Sequence, residues 1–143
     1  MYESTWAELR TASRLVNDWC HGFEPDELVR PADVHQVHAT LARMAKLVEG
    51  AQTRLARRVE QTGVWRRHGA ASAVAYLAGE QGVTTAVARQ QLSTSRALPG
   101  LAATDQAVRR GELSAQQAAV VADAAQAAAA AQERARRGRD TRG

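Results

Sequence analysis

Residues 72–96 read SAVAYLAGEQGVTTAVARQQLSTSR, two short runs of helix-forming residues on either side of a Gly-Val-Thr break. Ser72 stands where a hydroxyl caps the free N–H groups of a helix, and Val74, Tyr76 and Leu77 follow it. Gly82 ends that run; Thr84 or Thr85 caps a second one reaching about Leu98, where Pro99 and Gly100 stop it. Ala78, four residues before Gly82, leaves room for the two helices to approach. Such a pair fits a helix-turn-helix unit whose second helix reads nucleic acid, and it also fits a plain helical hairpin with a solvated polar face. Arg89, Gln90, Ser93 and Arg96 fall on or near the outer face of the second helix, and arginine and glutamine suit base edges and phosphates. Ala88 and Gln91 take places where such units usually bury larger aliphatic side chains, so thin helix contact is expected there.

Downstream, a helix over roughly Leu101 to Arg110 closes at Gly111. Ser114 and Gln117 then form a capping box for a further helix through Ala118, Val121 and Ala125. Its alanine tract has high helix propensity and little to bury, so fraying is expected beyond about Ala127, and the end, QERARRGRDTRG, reads as a basic, disordered tail.

Upstream, Thr5 and Glu8 read as the capping box of a first helix whose apolar stripe is Trp6, Leu9, Ala12, Val16 and Trp19. Gly22, Pro25 and Pro31 make His21 to Pro31 a connection, pinned by Phe23 and Leu28. A long helix runs from about Asp33, its candidate N-cap, to Thr62, with Gly63 at the left-handed position past its end. Val34, Val37, Leu41, Met44, Val48, Ala51 and Leu55 recur in steps of three and four along it. This heptad seam suits pairing with a partner or a second copy, and equally packing on the first helix of the same chain. The stretch VWRRHG after Gly63 is a turn in which Trp65 packs back on the preceding helix, with Arg66 and Arg67 beside it as candidate nucleic-acid contacts.

Together these segments predict an all-α bundle of about six helices with one long helix, a helical domain over 1–125 and a tail over 126–143. Alanine, leucine, glutamine and arginine dominate, proline numbers 3, and aromatic residues make up 4% of the 143 residues, so burial must come from many small contacts. The formal net charge of +4, carried almost wholly by arginine, suits anionic partners and is also an ordinary solubility device. Cys20 is the sole cysteine, so an intrachain disulfide is excluded; as a lone buried thiol it suits a reducing, cytoplasmic compartment. The opening MYESTWAELR has no apolar run, so neither a signal peptide nor a membrane partner is expected.

His35 and His38 lie one helical turn apart, with Cys20 and His21 as the conceivable completions of a metal site, but short spacings joining four ligands are missing, and no metal or other cofactor is expected. No glycine-rich phosphate loop, nucleophile elbow or HExxH motif occurs, and Asp26 with Glu27 reads as a solvated pair in a proline-bounded loop. No catalytic residue is assigned.

The landmarks GAASAVAYLA, GVTTAVARQQL, Leu98-Pro99 and AVRRGELSAQQAAVVADAA, in that order over Gly63 to Ala125, resemble the helical domain of unknown function, family number 222, also called the thirteen-E-twelve repeat family. That domain precedes the HNH nuclease domain in actinobacterial proteins. Tyr76 stands where the family more often has tryptophan, and the His-Asn-His residues of the nuclease are not in this chain. The order Gly-Val-Thr, Leu-Pro, Gly-Glu-Leu-Ser is also similar to the DNA domain of chromosome-partition proteins. The resemblance implies a non-catalytic, DNA-associated accessory module, a truncated relative of those endonucleases, with DNA, a second copy or a separate nuclease-bearing protein as partner. The alternative is a protein-interaction scaffold working through the long heptad helix.

Overall fold

The computed structural model describes residues 2–142, and no strand occurs among them. Among these residues the α-helices are α1 (Tyr2–Gly22), α2 (Pro31–Thr62), α3 (Val64–Arg67), α4 (Ala73–Gln81), α5 (Thr85–Ala97), α6 (Ala102–Arg109) and α7 (Ala115–Asp140), with 3₁₀ turns at Pro25–Glu27 and Leu98–Gly100. The all-α reading holds. The chain divides into two compact units, Met1–Ala39 and Thr40–Gly143, the division falling inside α2.

In the first unit, α1 begins by Tyr2, so Thr5 and Glu8 lie inside the helix and not at its start; Glu3 supplies the negative charge that the first turn favours. Trp19 stacks on Phe23 with ring centroids 4.4 Å apart, holding the chain where it leaves α1. The second helix starts two residues before the expected Asp33 cap. Proline at the first helical position loses nothing, because its missing N–H would have had no partner there. Asp33 is instead a first-turn acid, gripped by the Arg30 guanidinium at 2.9 Å and 3.2 Å.

The second unit is built around α5, which packs against α4 on one side and α7 on another, while α6 joins α7 and the Leu98–Gly100 turn. One core cluster gathers Ala56 and Val59 of α2, Ala73, Leu77 and Ala78 of α4, and Ala88 and Leu92 of α5, with Trp65 packed against it. Alanines fill much of this interior, as the scarcity of aromatics required, so the backbones come close. The closest approach is at Gly50 of α2, where an added Cβ would lie 2.8 Å from Val108 Cγ1 and 3.2 Å from Val108 O of α6.

The heptad seam is not the buried face of α2. Val34, Leu41, Met44, Val48 and Leu55 are exposed, whereas Gly50, Thr53, Ala56 and Val59 are buried. Counting 100° per residue, the seam from Met44 to Leu55 lies roughly 130° around the helix from Gly50. Large apolar residues repeat along one side, and the chain's own bundle takes another, lined mostly by small residues and closed by Val59.

The end of α7 also departs from expectation. It remains helical to Asp140, with every residue past Ala125 exposed. Alanine sustains this helix by propensity, with no packing to help it.

Candidate nucleic-acid interface

The hairpin of α4 and α5 is set by local chemistry that the sequence displays. Ser72 Oγ accepts the Ala75 N–H at 3.0 Å, and Thr84 Oγ1 accepts the Val87 N–H at 3.2 Å. Between them Gly82 takes the left-handed conformation at φ 65°, and the Val83 N–H returns to Ala78 O at 3.1 Å.

Thin contact was expected at Ala88 and Gln91, yet Ala88 is fully buried and Gln91 joins a polar clasp. The Gln81 amide donates to Gln91 Oε1 at 2.7 Å, and the Gln91 amide donates back to Gln81 Oε1 at 2.8 Å. Ser95 anchors the inner side of α5 to α2: its hydroxyl accepts the Arg57 backbone N–H at 2.9 Å, and its carbonyl accepts the Arg57 guanidinium at 3.2 Å.

Across the opposite, outer side of α5 run Arg89, Ser93 and Arg96, spaced four and three residues apart. Arg89 is exposed and Ser93 half-buried. Arg96 reaches back to α2, where both carboxylate oxygens of Glu60 accept from its guanidinium. Gln90 leans toward α7 and donates to the Asp123 carboxylate at 3.3 Å. Of the four predicted contacts, then, Arg89 presents a cation with no ion pair among the described residues, and Arg96 and Gln90 form tethered flanks. Beside Gln90, a groove of about 430 Å³ runs between α5 and α7, lined by Ala86, Val87, Ala115, Ala119 and Val120, with Thr53 and Gln91 among its polar contributors.

Trp65 is half-buried against the core, as its place after Gly63 predicted, and the Arg66 guanidinium lies over its ring at 4.8 Å from the centroid. Arg66 and Arg67 are exposed. The last turns of α7 hold the densest positive charge: Arg134, Arg136, Arg137, Arg139 and the following Arg142 face only Glu133 and Asp140. Glu133 engages Arg137 at 2.9 Å and Arg136 at 4.0 Å. Arg134, Arg139 and Arg142 have no ion pair among the described residues.

Cys20 is exposed, not buried as its compartment reading assumed. His35 and His38 are exposed too, and no three His, Cys, Asp or Glu side chains converge as a metal site would need among the described residues. Asp26 and Glu27 lie exposed in the 3₁₀ turn.

Sequence reasoning missed the ionic fastening of the bundle. Asp105 of α6 accepts from Arg54 of α2 at 3.1 Å and from Arg109 at 2.9 Å. Only the four-residue spacing of Asp105 and Arg109 was open to sequence inspection; Arg54 lies 51 residues away.

Comparison of the chain with protein-family models, curated proteins and solved structures finds no match. No helix among the described residues is long and apolar enough to cross a membrane.

Proposed function

We propose that this chain is a non-catalytic, DNA-associated accessory module, related to the helical domain its landmarks resemble, which contacts the phosphate backbone through the arginines ending α7 and through Arg89 on α5. The observation that carries the reading is the end of α7: five arginines against two acids, on helix and tail exposed throughout. Unpaired guanidinium groups on a polar helix lower the chain's own stability through mutual repulsion, and a polyanion relieves that repulsion. Phosphate contacts release condensed counterions, so they supply affinity without sequence preference. Arg89 and Ser93 would add contacts from the outer face of α5, and Arg66 and Arg67 from α3.

Fluorescence anisotropy with a labelled DNA duplex tests this. Binding at low salt is expected, with log affinity falling by about 0.9 per phosphate contact for each unit of log salt. Replacing Arg134, Arg137, Arg139 and Arg142 by alanine should flatten that slope by roughly 3 to 4. No binding at low salt, or an unchanged slope in the variant, would refute the proposal.

A second reading, a protein-interaction scaffold, is favoured by the exposure of Leu41, Met44, Val48 and Leu55 along α2. Leu41→Asp should then abolish partner binding while leaving DNA affinity unchanged.

A further inference from the structure

We propose that α1 is a self-association helix whose apolar stripe is closed by the antiparallel stripe of a second copy of this chain. This inference is independent of the DNA reading, since it concerns the first unit alone.

No residue of α1 is buried. Trp6, Leu9, Val16 and Trp19 stand on one side of it and are exposed by 46%, 59%, 41% and 43%. Two half-bare tryptophans on one helix are a poor arrangement for an isolated chain, because aromatic area dominates the gain from burial. The four side chains leave on the order of 400 Å² of apolar surface open per copy. A stable interface takes about 800 Å² from each partner, a little over half of it apolar. The stripe supplies most of the apolar part of that requirement.

The spacing favours a second copy over an unrelated partner. Reversing α1 about the midpoint between Ala12 and Ser13 exchanges Trp6 with Trp19 and Leu9 with Val16, so the stripe maps onto itself. A two-fold interface pairs residue i with j wherever it pairs j with i, and here both members of each such pair are apolar. The same reversal sets Glu8 level with Asn17, Arg10 with Leu15, Arg14 with Thr11 and Asp18 with Ala7, so no charge sits level with a like charge, although Arg10 comes within one residue of the other copy's Arg14 and Glu8 within one of its Asp18. A parallel pairing would set each charge beside its own copy.

The test uses the full chain. Sedimentation equilibrium should show a dimer, and Leu9→Arg with Val16→Arg should raise its dissociation constant by about 100-fold or more. Both side chains are exposed, so helicity by circular dichroism should survive the change, separating lost pairing from unfolding. Orientation is read by oxidative cross-linking. In the antiparallel pair the two Cys20 residues lie about 22 Å apart along the axes, and the two Ala12 residues about 1.5 Å apart. Wild-type protein should therefore stay uncross-linked, and Ala12→Cys in a Cys20→Ser background should form disulfide-linked dimers. A monomer at every concentration would overturn the proposal, including one whose stripe is covered by another segment of its own chain. Efficient cross-linking through Cys20, or a dimer indifferent to the arginine pair, would overturn it as well.

Discussion

The side-chain amides of Gln81 and Gln91 hydrogen-bond to each other in both directions, at 2.7 Å and 2.8 Å, and so clasp α4 to α5 where aliphatic side chains would ordinarily interlock. Gln81 also donates to Leu77 O at 3.0 Å, and Gln91 lies 3.5 Å from Thr53 Oγ1 of α2. Removing one member leaves the other half-buried amide short of a partner. Gln81→Leu or Gln91→Leu alone should cost about 1–3 kcal/mol, whereas the two together should cost much less. Urea denaturation of the two single variants and the double variant gives the coupling energy directly. A coupling near zero would show the clasp to be incidental.

Gly50 is held to its identity by α6. Alanine would normally stabilise the middle of an exposed helix by about 1 kcal/mol relative to glycine. Here the added methyl meets Val108, whose side chain is itself 1% exposed and whose backbone carbonyl lies at 3.2 Å from the new carbon. Neither group has free space to move into, so Gly50→Ala should destabilise the fold by about 1–3 kcal/mol, seen as a lower melting temperature. A variant more stable than wild type would mean that α2 and α6 separate more readily than this packing implies.

Neighbouring positions on α2 should answer a charge in opposite ways. Leu55 is 59% exposed and Ala56 is fully buried. Leu55→Asp should alter monomer stability by no more than about 0.5 kcal/mol. Ala56→Asp places a carboxylate among Val59, Leu77 and Leu92 and should cost several kcal/mol, enough to unfold the second unit. Thermal melts of the two variants distinguish this assignment of faces from a seam buried inside the chain's own bundle, which would give a large loss at Leu55.

The pattern of agreement has a physical basis. Caps and stops at Ser72, Gly82, Thr84 and Ser114 were legible because each depends on a backbone group within four residues, and Ser114 with Gln117 closes the expected capping box at 3.1 Å and 2.9 Å. The buried face of α2 was not legible, since hydrophobic periodicity weighs large side chains and cannot see that Gly50, Thr53 and Ala56 are small so that other helices can approach. The outer face of α5 was legible in direction and not in charge: the spacing places Arg96 outside, and nothing local announces Glu60, 36 residues away. Helix beyond Ala127 was underestimated because lack of burial was weighed above alanine's propensity.

That last point leads to a test of α7. Its turns past Ala125 gain no burial, so they persist only while the run of helix-forming residues is unbroken. Proline at Ala129 removes one N–H donor and obstructs the preceding turn, a penalty of about 3 kcal/mol that this unsupported segment cannot absorb. Ala129→Pro should therefore lower the helical ellipticity of the full chain by about a dozen residues' worth, while the urea midpoint of the bundle stays where it was. Amides beyond Ala129 should exchange with solvent faster than in wild type, and those of α5 should not change. If the arginines at 134, 136, 137 and 139 act as a rigid array on DNA, affinity should fall with the helix even though their charge is retained. If affinity is instead unchanged, the contact is one of charge density alone, and a disordered basic tail would serve it equally well. A drop in the urea midpoint would contradict the structure, because it would require the end of α7 to be packed against the bundle.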